Sequence, residues 1–377
     1  MLKKLLLACV LVTLSSCQRP SRTDAHLTLA SLPARLSDWH VVEIHDSTFT
    51  LNSDFVPYDL NSALFSDYAH KLRAIRVPAG TSIRYGASEF EFPVGTVIAK
   101  TFYYPRAAGA DRSVVNKVLV QEEGDSLDLR VVRLLETRLL INTESGWIAA
   151  PYVWNEEQTQ ATLELAGDSV ALELDDGTVR QAFDYVIPDA NQCAGCHAAD
   201  HHRQILKPIG VKAPQLNKEY RYTTSVENQL KHWSREKLMS GVPRTDSIPR
   251  NARWDAPGSL DARARAYLDV NCAHCHSAQA AANTSGLLLD SHQQEPSRWG
   301  VCKIPVASGR GSGTGAFDIV PGAPDQSILL YRMTSTEPDV AMPELGRSLV
   351  HVEGVALIRE WIASMKGECA PDRTASN

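Results

Sequence analysis

Beyond residue 16 the chain has no run approaching 18 apolar residues, so no later segment is expected to span a bilayer as a helix. Base is not in surplus: 38 Lys and Arg stand against 44 Asp and Glu, a formal net charge of −6. That balance argues against nucleic acid as a partner. No Ser-His-Asp order, paired-carboxylate context or phosphate loop stands out that would carry hydrolysis or nucleotide binding. Nothing in the composition points to disorder or to a fibre. With 377 residues the chain exceeds what one core usually serves, so two or three domains are expected.

What the chain does have is one short pattern, twice. Asn191-Gln192-Cys193-Ala194-Gly195-Cys196-His197 and Asn271-Cys272-Ala273-His274-Cys275-His276 each contain C-x-x-C-H. In that pattern two thiols can add across the vinyl groups of a haem, and the adjacent histidine lies under the iron as its proximal ligand. A zinc ribbon brings its two halves within roughly 15 to 20 residues, and here a domain's worth of sequence separates them. A redox dithiol does not account for a histidine after the second cysteine at both sites. The spacing therefore predicts two covalent haems c, held by Cys193, Cys196, Cys272 and Cys275, with His197 and His276 as axial ligands. His274, inside the second pair, keeps metal binding without haem open at that site.

The first 16 residues read as a secretory signal: Lys3 and Lys4, an apolar run from Leu5 to Leu14, then Leu14-Ser15-Ser16-Cys17. That ending resembles a bacterial lipobox, in which Cys17 becomes the lipidated first residue; an ordinary signal peptide with an incidental cysteine is the alternative. Acyl chains contribute about 0.8 kcal/mol per buried methylene, so several on one residue anchor firmly. Loss of Lys3 and Lys4 leaves 36 basic against 44 acidic residues, a net of −8. The expected location is the periplasmic face of a bacterial membrane, the outer one, held by lipid alone. Of the eight cysteines, Cys9 leaves with the signal. Cys302 and Cys369 remain unassigned, and in an oxidising compartment they are most simply a disulfide; two unrelated free thiols are the alternative.

The chain divides into a signal (1–16), a linker (17–29), a β-rich domain (30–188), a first haem-binding region (189–257), a cytochrome-like domain (258–370) and a tail (371–377). Strand patterns recur at Lys71 to Val77, Ser82 to Phe92, Thr96 to Tyr104, Leu127 to Asn142 and Ala161 to Leu174. They predict an all-β, sandwich-like domain. Asp175-Asp176-Gly177 is a hairpin turn. A strand-like run, Phe183 to Pro188, leads into the first motif, and Val226 to Ser240 has helical spacing. Ser259 caps a helix to Val270 that delivers Cys272. Ala341-Met342-Pro343-Glu344 forms a loop before a closing helix from Val352 to Met365. The expected fold class is therefore α+β multidomain, with mostly helical haem domains after the β-rich one.

Met342 is the candidate second axial ligand at His276, because a thioether opposite histidine raises the potential and fills the sixth position. Met333 and Met365 fall in helical patterns and read as packing. At His197, Met239 is the best candidate by distance, with His201, His202 and His232 behind it, and an open sixth site is also allowed. Aromatic and amide residues in Tyr58-Asp59-Leu60-Asn61, Phe65-Ser66-Asp67-Tyr68 and Tyr152-Val153-Trp154-Asn155 could line a small-molecule or sugar groove; core and turn roles are commoner for them.

On Cys272 to His276, Ser285 to Asp290, Val320 to Ser327, Met342-Pro343 and Glu360-Trp361-Ile362, residues from Leu260 to Met365 resemble a class I cytochrome c of the planctomycete type. The mature chain as a whole resembles a family of exported two-haem c-type cytochromes with a β-rich N-terminal half. That impression rests on the three aromatic stretches above, with Phe92 to Thr96, Trp147 and Ala213 to Asn217. The resemblance implies haem and electron transfer with a periplasmic or membrane redox partner, and names no substrate. An electron carrier is expected over a catalyst. The alternatives are a dihaem peroxidase or oxidase, and a ligand-binding β domain with a redox tail.

Overall fold

The computed structural model describes residues 26–118, 124–306 and 308–370. The signal, Cys17 and the tail lie outside the described residues, as does most of the linker. Strands come first: β1 (Val42–His45), β2 (Thr48–Leu51), β3 (Val56–Tyr58), β4 (His70–Arg76), β5 (Ile83–Arg84) and β6 (Val97–Pro105). They are followed by β7 (Val114–Asn116), β8 (Ser126–Asp128), β9 (Val132–Thr143), β10 (Gly146–Trp154), β11 (Ala161–Leu163), β12 (Asp168–Asp175) and β13 (Arg180–Ile187).

Six of these form one sheet in the order β11-β10-β9-β6-β4-β3. One face of it, with Leu72, Ala74, Val97, Ala99, Leu139 and Tyr152, is closed by the three-stranded sheet β1-β2-β8 through Phe49, Leu51 and Leu127. The other face is covered in two pieces. At one end Phe102, Tyr104 and Leu135 meet Leu172, Leu174, Phe183 and Tyr185 of the sheet β13-β12-β7. At the other, Ile75, Ile98 and Leu140 meet Leu216, Leu230 and Trp233, which follow the first motif. Period-two alternation produces both faces, since successive side chains of a strand point opposite ways.

The hairpin β12–β13 turns where Asp-Asp-Gly lies, with Asp175 opposite Arg180 and Gly177 at φ +90°. The Ser82 to Phe92 run yields only the two residues of β5, because its partner is not a sequence neighbour but β18 (Met239–Ser240). Residues 198 to 240 hold five short strands, β14 (Ala198–Asp200), β15 (Ile205–Leu206), β16 (Glu219–Arg221), β17 (Val226–Asn228) and β18, against two short helices, α2 (Ala213–Leu216) and α3 (Gln229–Arg235). The expectation of a mostly helical region here is corrected. The helix read over 226 to 240 shrinks to α3, ended by Lys237 at φ +60°, after which the chain leaves to pair with β5.

From α4 (Leu260–Asn271) on, the regular elements are helical: α5 (Pro296–Trp299), α6 (Ile328–Thr334) and α7 (Val352–Ser364), with long turns between them. Ser259 accepts from Ala262 N at the start of α4, as a serine cap should. α4 crosses α7 closely: a Cβ on Gly354 would come within 2.4 Å of the Tyr267 ring, so only glycine fits that crossing. No helix among the described residues is long and apolar enough to cross a membrane.

Phe65-Ser66-Asp67-Tyr68 joins the β-rich part to this helical part. The Asp67 carboxylate accepts from Ser348 N and Leu349 N at 2.7–2.8 Å, and Tyr68 Oη accepts from Val352 N. His351 is buried between Phe65, stacked on it at 4.2 Å, and Tyr267, which hydrogen-bonds its Nδ1. Burial pushes the His351 imidazole down to about 4. Because its folded value lies below the ordinary 6.5, the unfolded chain binds the proton first, and the stabilisation present above pH 6.5 is lost as pH falls toward 4. Wild type is expected to lose up to about 3 kcal/mol more than His351→Phe over that interval, measured by urea unfolding at each pH. Parallel pH profiles for the two proteins would refute it.

Candidate functional site

Pro188 ends β13, and the next residue starts α1 (Ala190–His197): the Asp189 carboxylate accepts from Gln192 N at 2.7 Å while the Gln192 side chain accepts from Asp189 N. This capping box on a strand end is what brings the first motif in without a leading helix. Cys193 and Cys196, three apart, share one face of α1, and His197 closes its last turn. The chain then folds back through β14 and β15, so that Lys207 N donates to His197 O and Lys207 O accepts from His197 Nδ1 at 2.8 Å.

The second motif is a turn at the end of α4. Cys272 N bonds back to Leu268 O, and Cys275 N and His276 N both bond to Cys272 O. His276 Nδ1 lies 3.0 Å from Ser285 Oγ, whose own proton goes to Ala282 O at 2.7 Å. The serine can therefore only accept, and His276 Nδ1 is the donor. Both imidazoles end in the same state: Nδ1–H is tied to the protein and Nε2 is left as the free lone pair. Burial, followed by the Lys100 charge, pushes His197 down to about 3. Burial, followed by Arg332, pushes His276 down to about 4. Both are neutral at physiological pH, the form that binds a metal.

The tertiary structure brings the motifs together. His201 N donates to Gln279 O at 2.9 Å, and the Cys196 thiol interacts with the Cys275 thiol and the His274 ring. The interaction with Cys275 pulls Cys196 down and pushes Cys275 up, so of the two Cys196 is the better nucleophile in the unmodified chain. Burial pushes Cys193 up to about 11 and Cys272 up to about 12. A cavity of about 360 Å³, within the usual range for ligand sites, is lined by Cys196, His197, Ala273, His274, Phe92 and Trp147 among others. His274 Nδ1 is buried with no hydrogen-bond partner. Among the described residues no three His, Cys, Asp or Glu side chains converge as a metal site built from side chains alone requires.

At each motif a thiol pair beside a neutral imidazole with Nδ1–H held by the protein suits a haem; the cavity takes Cys196 and His197 from the first motif and Ala273 and His274 from the second, while His276 and Met342 do not line it. Met342 lies in a loop strapped by two arginines: Arg332 O accepts from Met342 N, and Arg347 Nη2 donates to Met342 O at 2.9 Å. The same arginines act on the second motif, Arg332 on His276 and Arg347 on Cys272. Met333 is core, and Met365 packs against that core. Met239 is 2% exposed and packed with Ile83 and Trp233 where β18 pairs with β5; like Met342 and His276, it does not line the cavity. His232 is occupied by Glu227 and stacked on Tyr222, while His201 and His202 are exposed in a turn.

Cys302 and Cys369 form a disulfide. Tyr58, Tyr152 and Trp154 are buried, with Tyr152 Oη held by Trp39 Nε1 and Pro33 O, so they do not line an open groove. Spacing alone does not single out Lys207 and Ser285, the residues that orient the two imidazoles. His274 was legible only as a surplus histidine inside a motif. No family model, no curated protein and no solved structure matches the chain.

Proposed function

We propose that the protein is a dihaem c-type cytochrome that carries electrons at the cell envelope, exported and lipid-anchored through Cys17, with a periplasmic or membrane redox partner. Cys193 and Cys196 hold one haem with His197 as proximal ligand; Cys272 and Cys275 hold the other with His276. A haem bound in this way supplies reversible one-electron exchange at its iron. The single observation that carries the reading is the matched state of His197 and His276, each neutral with Nδ1–H donated to the protein and Nε2 unclaimed. Lys207 O and Ser285 Oγ orient the rings and raise their basicity as ligands. Met342, on its arginine-strapped loop, is the second axial ligand at the second site, which closes that site to exogenous molecules.

The test is intact mass of the protein matured in a host with cytochrome assembly, joined to a redox-titrated visible and near-infrared spectrum. Two covalently added haems are expected, one with the near-infrared signature of methionine ligation. A mass equal to the bare polypeptide overturns the reading. The packing of Met239 in the core with Ile83 and Trp233 favours one second reading, a peroxidase-like role for the first site. It is separated by peroxide and carbon monoxide: a carrier with both sites closed responds to neither.

A further inference from the structure

The face of the six-stranded sheet that looks toward the first motif carries an arrangement of charge that its own residues leave unbalanced. Arg73 of β4 stands directly opposite Lys100 of β6, which stands directly opposite Arg138 of β9. Three cations thus form one row across adjacent strands. Like charges placed opposite one another in a sheet repel. The row lies at the seam between the two apolar halves of that face, with Ile75, Ile98 and Leu140 on one side and Phe102 on the other.

Carboxylates answer only its ends. Arg73 pairs with Asp59 at 2.7 Å and Arg138 with Glu136, itself fully buried. Lys100, in the middle, makes no hydrogen bond or ion pair among the described residues: its ammonium lies 6.0 Å from the Phe102 ring centroid, and the Glu136 charge acts on it only from a distance. Arg73 is 4% exposed with its Nε unpartnered. Lys71, on the same face, donates to the carbonyls of Leu64 and Ala69 and lies over the Phe102 ring. Elsewhere around the motif the cations are already matched: Lys207 by Glu89 and Lys212 by Asp269. Burial, followed by the Arg73 and Arg138 charges, pushes the Lys100 ammonium down to about 7, so holding its charge between two guanidiniums calls for an anion beside it. α1 packs against β10 of the same sheet, and after burial itself Lys100 is the largest influence on the His197 ring.

We infer that the row Arg73, Lys100 and Arg138 receives the propionate carboxylates of the haem attached at Cys193 and Cys196, with Lys100 as the direct partner. The inference rests on the dihaem reading above. It gives the β-rich part a role: its sheet supplies the counter-charge for a cofactor whose covalent and axial bonds come from another stretch of chain. A cation there favours the reduced, less positive iron site. Removing Lys100 therefore lowers that site's potential, both by losing the charge and by leaving a carboxylate uncompensated.

The experiment uses full-length protein carrying both haems, as wild type, Lys100→Met and Lys100→Arg, in spectroelectrochemical titrations with and without added acetate. Lys100→Met is expected to lower one of the two potentials enough to change the oxidised-to-reduced ratio at fixed poise at least tenfold, about 59 mV for one electron. Lys100→Arg keeps the charge and should stay within a threefold change. Equal potentials in wild type and Lys100→Met overturn the inference, as does an equal shift in both variants. A wild-type potential that responds to acetate, with the response lost in Lys100→Met, also overturns it, because the row then holds a free carboxylate. Mass measured beforehand keeps the two levels apart: failure of wild type to carry two haems ends the dihaem reading itself, whereas two haems with unmoved potentials end only this inference.

Discussion

Cys272→Ala/Cys275→Ala protein is expected to leave the cell with one haem where wild type has two. Haem attachment needs both a thiol pair and an adjacent imidazole, and each motif is locally complete: α1 with Lys207 behind its histidine, and the end of α4 with Ser285 behind its own. Removing one pair leaves the other's donor set intact, so the loss should be one cofactor and not both. The remaining haem should show no methionine signature, because Met342 is the ligand proposed for the second site. The mirror variant, Cys193→Ala/Cys196→Ala, should retain that signature and lose the other transition. Intact mass, haem-stained gels and near-infrared spectra read all three points. Two haems surviving in either variant would show that the altered cysteines hold none.

The second large effect concerns the disulfide. Cys302 and Cys369 are 67 residues apart, and the bond ties the chain after α7 to the turn where Cys302 N bonds to Ile319 O. Closing a loop of that length restricts the unfolded chain by about 4 kcal/mol in the chain-entropy model. Cys302→Ser/Cys369→Ser, or reduction of wild type, should cost that amount and lower the unfolding temperature of the helical part by on the order of 10 °C. Denaturant unfolding under oxidising and reducing conditions checks it. A variant as stable as oxidised wild type would refute it. The first motif's spectrum should not change, since the bond lies in the other half of the site.

Where the local pattern and the surrounding packing ask for the same thing, the chain is readable in advance. Ser259 followed by apolar residues at helical spacing predicts α4, and α4 is there with that cap. Val352 to Met365 predicts α7 to within a residue. Asp175-Asp176-Gly177 predicts the β12–β13 turn, and the strand-like run before Cys193 is β13. Where a segment's partner is distant, the reading fails. Val226 to Ser240 has helical spacing, yet its far end is a strand because Met239 pairs with Ile83, and its near end is one because Val226–Asn228 pairs with Glu219–Arg221. The same long-range pairing seats Met239 in the core with Ile83 and Trp233, a placement its distance from the first motif does not reveal.

The chemistry divides in the same way. Four thiols and two histidines in a fixed five-residue order are a local property, and the amino-acid sequence by itself determined where those donors stand and hence which cofactor we propose for them. Which ring nitrogen is free, why the rings are neutral, that Cys196 meets Cys275, and that Arg73, Lys100 and Arg138 line up across three strands were decided only by the tertiary structure. The reason is that each of these depends on an acceptor, a burial or a register contributed by residues far along the chain. Lys207 lies ten residues past His197, but Lys100 lies nearly a hundred before it. A motif names the atoms that can react; the fold chooses the hydrogen bonds and charges that set how they do so.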